Sequence, residues 1–140
     1  MLKRTLGLGR HRVLVTRSVP QTVLDRLDSF FDVELHKDSR PLTPDALLER
    51  LRDKAGVLST EHDTIDAAMV AELKLLKTVS NMAQRYDNLD IAALTRAGIM
   101  VANVPAASRA AENLVASFGF GRLGGKPADL VNPELLCDCC

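Results

Sequence analysis

Gly119, Gly121 and Gly124 in the stretch "SFGFGRLGGKP" stand at the spacing G-x-G-x-x-G, which can cradle the pyrophosphate of a dinucleotide. That chemistry needs a particular setting: the glycines turn the chain from a buried strand into a helix whose N-terminal amides meet the phosphates. Here the preceding "AAENLVASF" is helical in pattern, and Gly125, Lys126 and Pro127 follow, residues that stop a helix instead of starting one. No strand-like run follows Gly124. The three glycines are therefore read as a helix-terminating loop, with no cofactor assigned to them.

Few other residues are spaced for chemistry. His11, His36 and His62 are scattered; His36 ends a strand-like run and His62 sits in a polar loop, and both read as solvated side chains. All three cysteines, Cys137, Cys139 and Cys140, crowd into the tail "CDCC". A tail of this kind cannot staple a fold, and a body without cysteine agrees with a reducing compartment. Residues 137–140 are expected to be disordered, and no metal is assigned to them.

Charge and length bound the rest. The 140 residues are 46% hydrophobic and 26% charged, enough for one domain with a single core over residues 1–136. Eighteen basic residues balance eighteen acidic ones, so no net field draws the chain to nucleic acid or to an anionic membrane. No apolar run approaches the roughly 20 residues of a membrane span, and "MLKRTLGLGRHR" lacks the long apolar segment of a secretory signal. A cytoplasmic protein is expected.

The elements that would position any site alternate between strand and helix. "RVLVT" (12–16) is a β-branched apolar run, followed by "SVPQTVLDRLDSFF" with Val23, Leu24 and Leu27 at helical spacing, Ser18 as its cap and Pro20 in its first turn. "DVELH" (32–36) alternates like an edge strand. "RPLTPDALLERLRDK" offers Thr43 as N-cap, Pro44 at the first helical position and a buried stripe of Leu47, Leu48 and Leu51. Strand "GVLST" (56–60), helix 64–73, strand "KTVS" (77–80), helix 88–98 and strand "IMVANV" (99–104) continue the rhythm, with Gly98 at a helix C-terminus. A last helix begins near Ser108, and the remainder reads as loop and tail. This alternation predicts βαβ units in a five-stranded, parallel, flavodoxin-like doubly wound sheet with helices on both faces. Ligands of such sheets bind beyond the carboxyl ends of the strands. That rule points to "STEHD" after the third strand and "NMAQRYDN" after the fourth.

Several phrases resemble the D-isomer-specific 2-hydroxyacid dehydrogenases, in particular their glyoxylate and hydroxypyruvate reductase branch: "RVLVTRSVP", "VSNMA" with "YDNLD", "TRAGIMVANVP", and near the end "AAENLVASF" and "LVNPE". The resemblance implies a substrate domain built from an N-terminal segment (1–105) and a returning C-terminal segment (106–136). In the family a nucleotide-binding domain lies between the two. Here Pro105 leads almost directly into the closing helix, so the chain resembles the substrate domain alone. The implied mechanism uses an arginine for the substrate carboxylate and a glutamate-supported histidine for the proton, while hydride passes between a nicotinamide and C2. Those three residues belong to the missing domain. NAD or NADP is the family's cofactor, and none is expected to bind this chain.

What the resemblance leaves is the carboxylate loop. Where the family's reductases carry Val-Gly between "SNMA" and "YDN", this chain has Gln84 and Arg85. Arg85 offers a positive charge, yet its side chain occupies space that glycine leaves open. The substrate-binding candidates are Ser59, Thr60, Glu61, Asn81, Ala83, Gln84 and Arg85. Asp87, Asn88 and Asp90 read as turn and cap residues, and Tyr86 as an edge residue with a wet hydroxyl.

Three readings follow. The first is a catalytically inactive substrate domain, self-associating through the surface left by the absent domain. The second is a subunit that binds a small 2-oxo or 2-hydroxy acid and is completed by a nucleotide-binding domain on another chain. The third is a flavodoxin-like binding module, for which "TRSVPQT" lacks a phosphate loop and "GVLST" lacks a phosphoacceptor aspartate.

Overall fold

Residues 10–119 and 127–139 are described by the structure, a computed structural model. β1 (Arg12–Val15), β2 (Asp32–Leu35), β3 (Gly56–Thr60), β4 (Thr78–Met82) and β5 (Met100–Asn103) form one sheet. All pairings are parallel and the order is β2-β1-β3-β4-β5. This is the expected flavodoxin-like doubly wound order. The connecting helices are α1 (Gln21–Asp28), α2 (Pro44–Leu51), α3 (Ala67–Glu72), α4 (Ile91–Arg96) and α5 (Ala107–Ser117).

Period-two alternation divides the sheet between two cores. Leu14, Val57, Val79 and Val101 pack with Leu47 and Leu51 of α2, Met69 and Val70 of α3, and Ala93 and Leu94 of α4. Val13, Val15 and Leu58 pack on the other face with Val23 and Leu27 of α1 and with Ala110, Ala111, Leu114 and Val115 of α5. Helices thus cover both faces, and the central strands carry apolar residues on both sides, as a buried parallel sheet requires.

Local capping chemistry sets the helix starts. Thr43 accepts from the Ala46 amide at 3.2 Å, with Pro44 in the first turn; Asp66 accepts from Met69 and Asp90 from Ala93, at 2.9 and 3.0 Å. One expected cap is different. Ser18 does not begin α1: Pro20 occupies the N-cap position, extended at φ −55°, ψ 147°, and its carbonyl accepts from the Val23 and Leu24 amides. The ring fixes φ at a value the cap can use, so the chain turns into helix only after Pro20. Gly98, at φ +77°, closes the α4 end in the left-handed region as expected.

The C-terminal segment also departs from the expected loop and tail. Leu130 bridges antiparallel to Ala102; the Val131 amide donates to Val101 O at 2.7 Å and the Asn103 amide to Asp129 O at 3.1 Å. Residues 129–132 therefore cover the outer edge of β5. Asn132, fully buried, accepts from the Val101 amide and donates to Ile99 O and Thr95 Oγ1. The Asn113 carboxamide on α5 accepts from the Ala128 and Asp129 amides and donates to Asp129 Oδ2. Covering an edge strand satisfies its backbone groups, a gain invisible to local pattern. A 3-10 helix then spans Pro133–Cys139, where a disordered Cys-rich tail was expected; Cys140 lies outside the described residues.

Candidate functional site

β3, β4 and β5 end in register, and the register decides where their polar residues go. Ser59 pairs with Asn81, and Asn81 with Asn103. Their side chains therefore share one face of the sheet, at its carboxyl end. The Ser59 hydroxyl donates to Asn81 Oδ1 at 2.8 Å, Asn81 Nδ2 donates to Asn103 Oδ1 at 2.9 Å, and Asn103 Nδ2 donates to the Ala83 carbonyl at 3.1 Å. Ser59 and Asn81 are both fully buried. Each bond in this rung passes its polarity to the next.

A second set of bonds ties the loop after β3 to the loop after β4. Asn88 Nδ2 donates to Thr60 O at 3.1 Å and to Asp63 O at 2.8 Å, while Ile65 and Leu89 form a parallel bridge. Asp63, almost wholly buried, accepts at Oδ2 from Thr16 Oγ1, the Thr60 amide and Thr60 Oγ1, at 2.6, 2.9 and 3.2 Å. The carboxyl ends of β1, β3, β4 and β5 are thus closed by a hydrogen-bonded polar layer.

The expected site residues separate into two groups. Ser59, Thr60, Asn81 and Ala83 are buried, with the polar side chains among them bonded within this layer. Glu61, Gln84 and Arg85 are exposed. Gln84 and Arg85, with Tyr86, Asp87, Asp90 and Ile91, line an open depression of about 550 Å³. The Arg85 guanidinium lies 3.6 Å from the Asp87 carboxylate, two residues on in the same loop, and its side chain is 82% exposed. No non-glycine residue among those described has positive φ, so the backbone at Arg85 makes no demand for glycine.

Asn103 was not anticipated as part of the site, and Asn88 and Asp63, though within the strand-end stretches expected to hold it, were not among the named candidates. Asn103 carried a signal: asparagine is disfavoured within strands, and one in "IMVANV" asks for a partner. Asn88 read as a turn residue because its partners lie 25 and 28 positions away. The histidines stand elsewhere. His36 Nε2 is 2.8 Å from Arg40 O, His11 stacks on Phe118 at 4.4 Å, and His62 is about half exposed beside Glu61.

Gly119, first of the three spaced glycines, has φ +84° and follows α5, with its amide donating to Ala116 O at 2.9 Å. Gly121 and Gly124 lie outside the described residues.

Strand order, two-sided helical cover and the polar carboxyl-end layer define a flavodoxin-like α/β domain. The chain belongs to the D-isomer specific 2-hydroxyacid dehydrogenases: the model of that family's catalytic domain matches residues 13–114. A glyoxylate reductase of Korarchaeum cryptofilum is 35% identical over 94 residues, which cover 67% of this chain and 28% of that protein. A glyoxylate reductase of Thermococcus onnurineus is 34% identical over the same shares. A crystal structure of a Thermus thermophilus protein superposes with a TM-score of 0.62 at 32% identity, covering 77% of this chain and 33% of that one. The chain thus spans less than a third of the length of the curated relatives named here. Among the described residues, no helix is long and apolar enough to cross a membrane.

Proposed function

We propose that this chain is the substrate-binding domain of a D-2-hydroxyacid dehydrogenase of the glyoxylate/hydroxypyruvate reductase kind, that it takes a small 2-oxo or 2-hydroxy acid at the loop of Ala83, Gln84 and Arg85, and that alone it is catalytically inactive. The observation that carries this reading is the join between β5 and α5. β5 ends at Asn103 and α5 begins at Ala107, which leaves no room between them for the family's nucleotide-binding domain. The implied arginine, glutamate and histidine would belong to that domain, and with them the hydride and proton steps.

Residues 1–136 act as one domain in this reading, with α5 packed beside α1 and residues 129–132 along the β5 edge. The chain's contribution to substrate binding is backbone N–H groups at a strand end, a device suited to a carboxylate, with Arg85 adding positive potential at the rim. NAD or NADP would be bound by the partner domain and not by this chain. The surface that such a domain would cover is offered for self-association.

The test is calorimetry of the full chain with glyoxylate, NADH and NADPH, with light scattering and absorbance of the reduced nicotinamide on the same sample. Heat with glyoxylate, silence with both cofactors, no oxidation of NADH and the mass of a dimer are the expected results. Heat with NADH, or turnover by the chain alone, overturns the reading.

A further inference from the structure

We infer that Asn103 is a positioning residue: through its bond to the Ala83 carbonyl it holds the Ala83–Gln84 peptide so that the Gln84 N–H is presented to the carboxylate of a bound oxo acid. This rests on the function proposed above and adds which amide binds the anion and what aims it. The argument is geometric. A trans peptide points its N–H opposite to its C=O, and no peptide among the described residues is cis. The Ala83 carbonyl faces Asn103 Nδ2 at 3.1 Å. The Gln84 N–H, on the same peptide plane, must therefore point out of the polar rung, and Gln84 itself lines the open depression.

The rung also polarises that peptide. Hydroxyl and carboxamide dipoles run head to tail from Ser59 through Asn81 and Asn103 to the Ala83 carbonyl, and a carbonyl that accepts such a bond makes its own peptide N–H a better donor. The members of the chain are held from strands paired in register, so the peptide is aimed by the sheet. Arg85 is not needed for this orientation, since its side chain leans toward Asp87.

The experiment is a glyoxylate titration of the full 15N-labelled chain, read by amide chemical shifts and by calorimetry, for wild type, Asn103→Asp and Ser59→Ala. Asn103→Asp keeps the shape and the acceptor for Asn81 but cannot donate to Ala83 when ionised. It is expected to weaken glyoxylate about tenfold and to abolish the shift of the Gln84 amide that wild type shows. Ser59→Ala removes only the head of the dipole chain and is expected to weaken binding about twofold to threefold. Should Asn103→Asp fail to fold, the Gln84 shift in wild type and the Ser59→Ala affinity decide. A Gln84 amide that stays still while wild type binds, or variants that bind as wild type does, overturn the inference and leave the proposed function standing; a wild-type chain that does not bind glyoxylate overturns both.

Discussion

The Arg85 guanidinium stands 3.6 Å from the Asp87 carboxylate, two residues on in the loop after β4. Both side chains are mostly exposed.

Arg85→Ala is accordingly expected to weaken glyoxylate binding only about twofold to threefold at low ionic strength, with the difference vanishing at high salt as exposed charges are screened. Calorimetric titrations at two salt concentrations check this. A large gain in affinity would mean that the side chain had blocked the loop.

Asn81→Ala should destabilise the fold by about 2–3 kcal/mol, because it leaves the Ser59 hydroxyl and the Asn103 carboxamide without their shared partner. Urea unfolding gives the value. An unchanged midpoint would show that water replaces the carboxamide at no cost.

Asn132→Ala should release the segment over the β5 edge at a cost of about 2 kcal/mol, since one buried side chain makes three bonds, to α4, to β5 and to the residue just before β5. Hydrogen exchange locates the effect. The Val131 amide, bonded to Val101 O, is expected to lose protection while Val79 in the sheet keeps it.

Acid should weaken the same strap. Burial alone would raise the Asp129 carboxyl, but the bonds from Arg109 and Asn113 together outweigh it and hold the group below its usual range. Asp53 is lowered chiefly by its bond from the buried Lys54 ammonium. A carboxyl with a depressed native pKa stabilises the fold above its unfolded value, about 3.9, and that contribution is lost as pH falls through the native value. Stability is therefore expected to decline below about pH 4, less steeply in Asp129→Asn than in wild type. Unfolding midpoints across that range test the difference.

Most of the architecture was legible in the chain because its causes are local. β-branched runs, helical spacing and caps such as Thr43 and Asp90 act over a few residues, and their alternation with short connections leaves few topologies open. The Ser18 cap failed for a local reason as well: Pro20, two residues on, supplied a better start. The phrases around Asn81 and Asp87 likewise drew attention to the loop after β4.

Tertiary structure decided what depends on register and on distant partners. Residues 129–132 read as tail because their bonds run to Ile99, Val101 and Asn103, far back along the chain. Ser59, Asn81 and Asn103 looked like three separate polar residues at strand ends; pairing in register turned them into one line of hydrogen bonds and moved Ser59 and Asn81 from the crevice wall into its foundation. The sequence determined the elements, their order and the family, since each is written in short-range pattern. The fold alone decided which amide faces outward, because the direction of a peptide plane is set by what holds its carbonyl from the neighbouring strand.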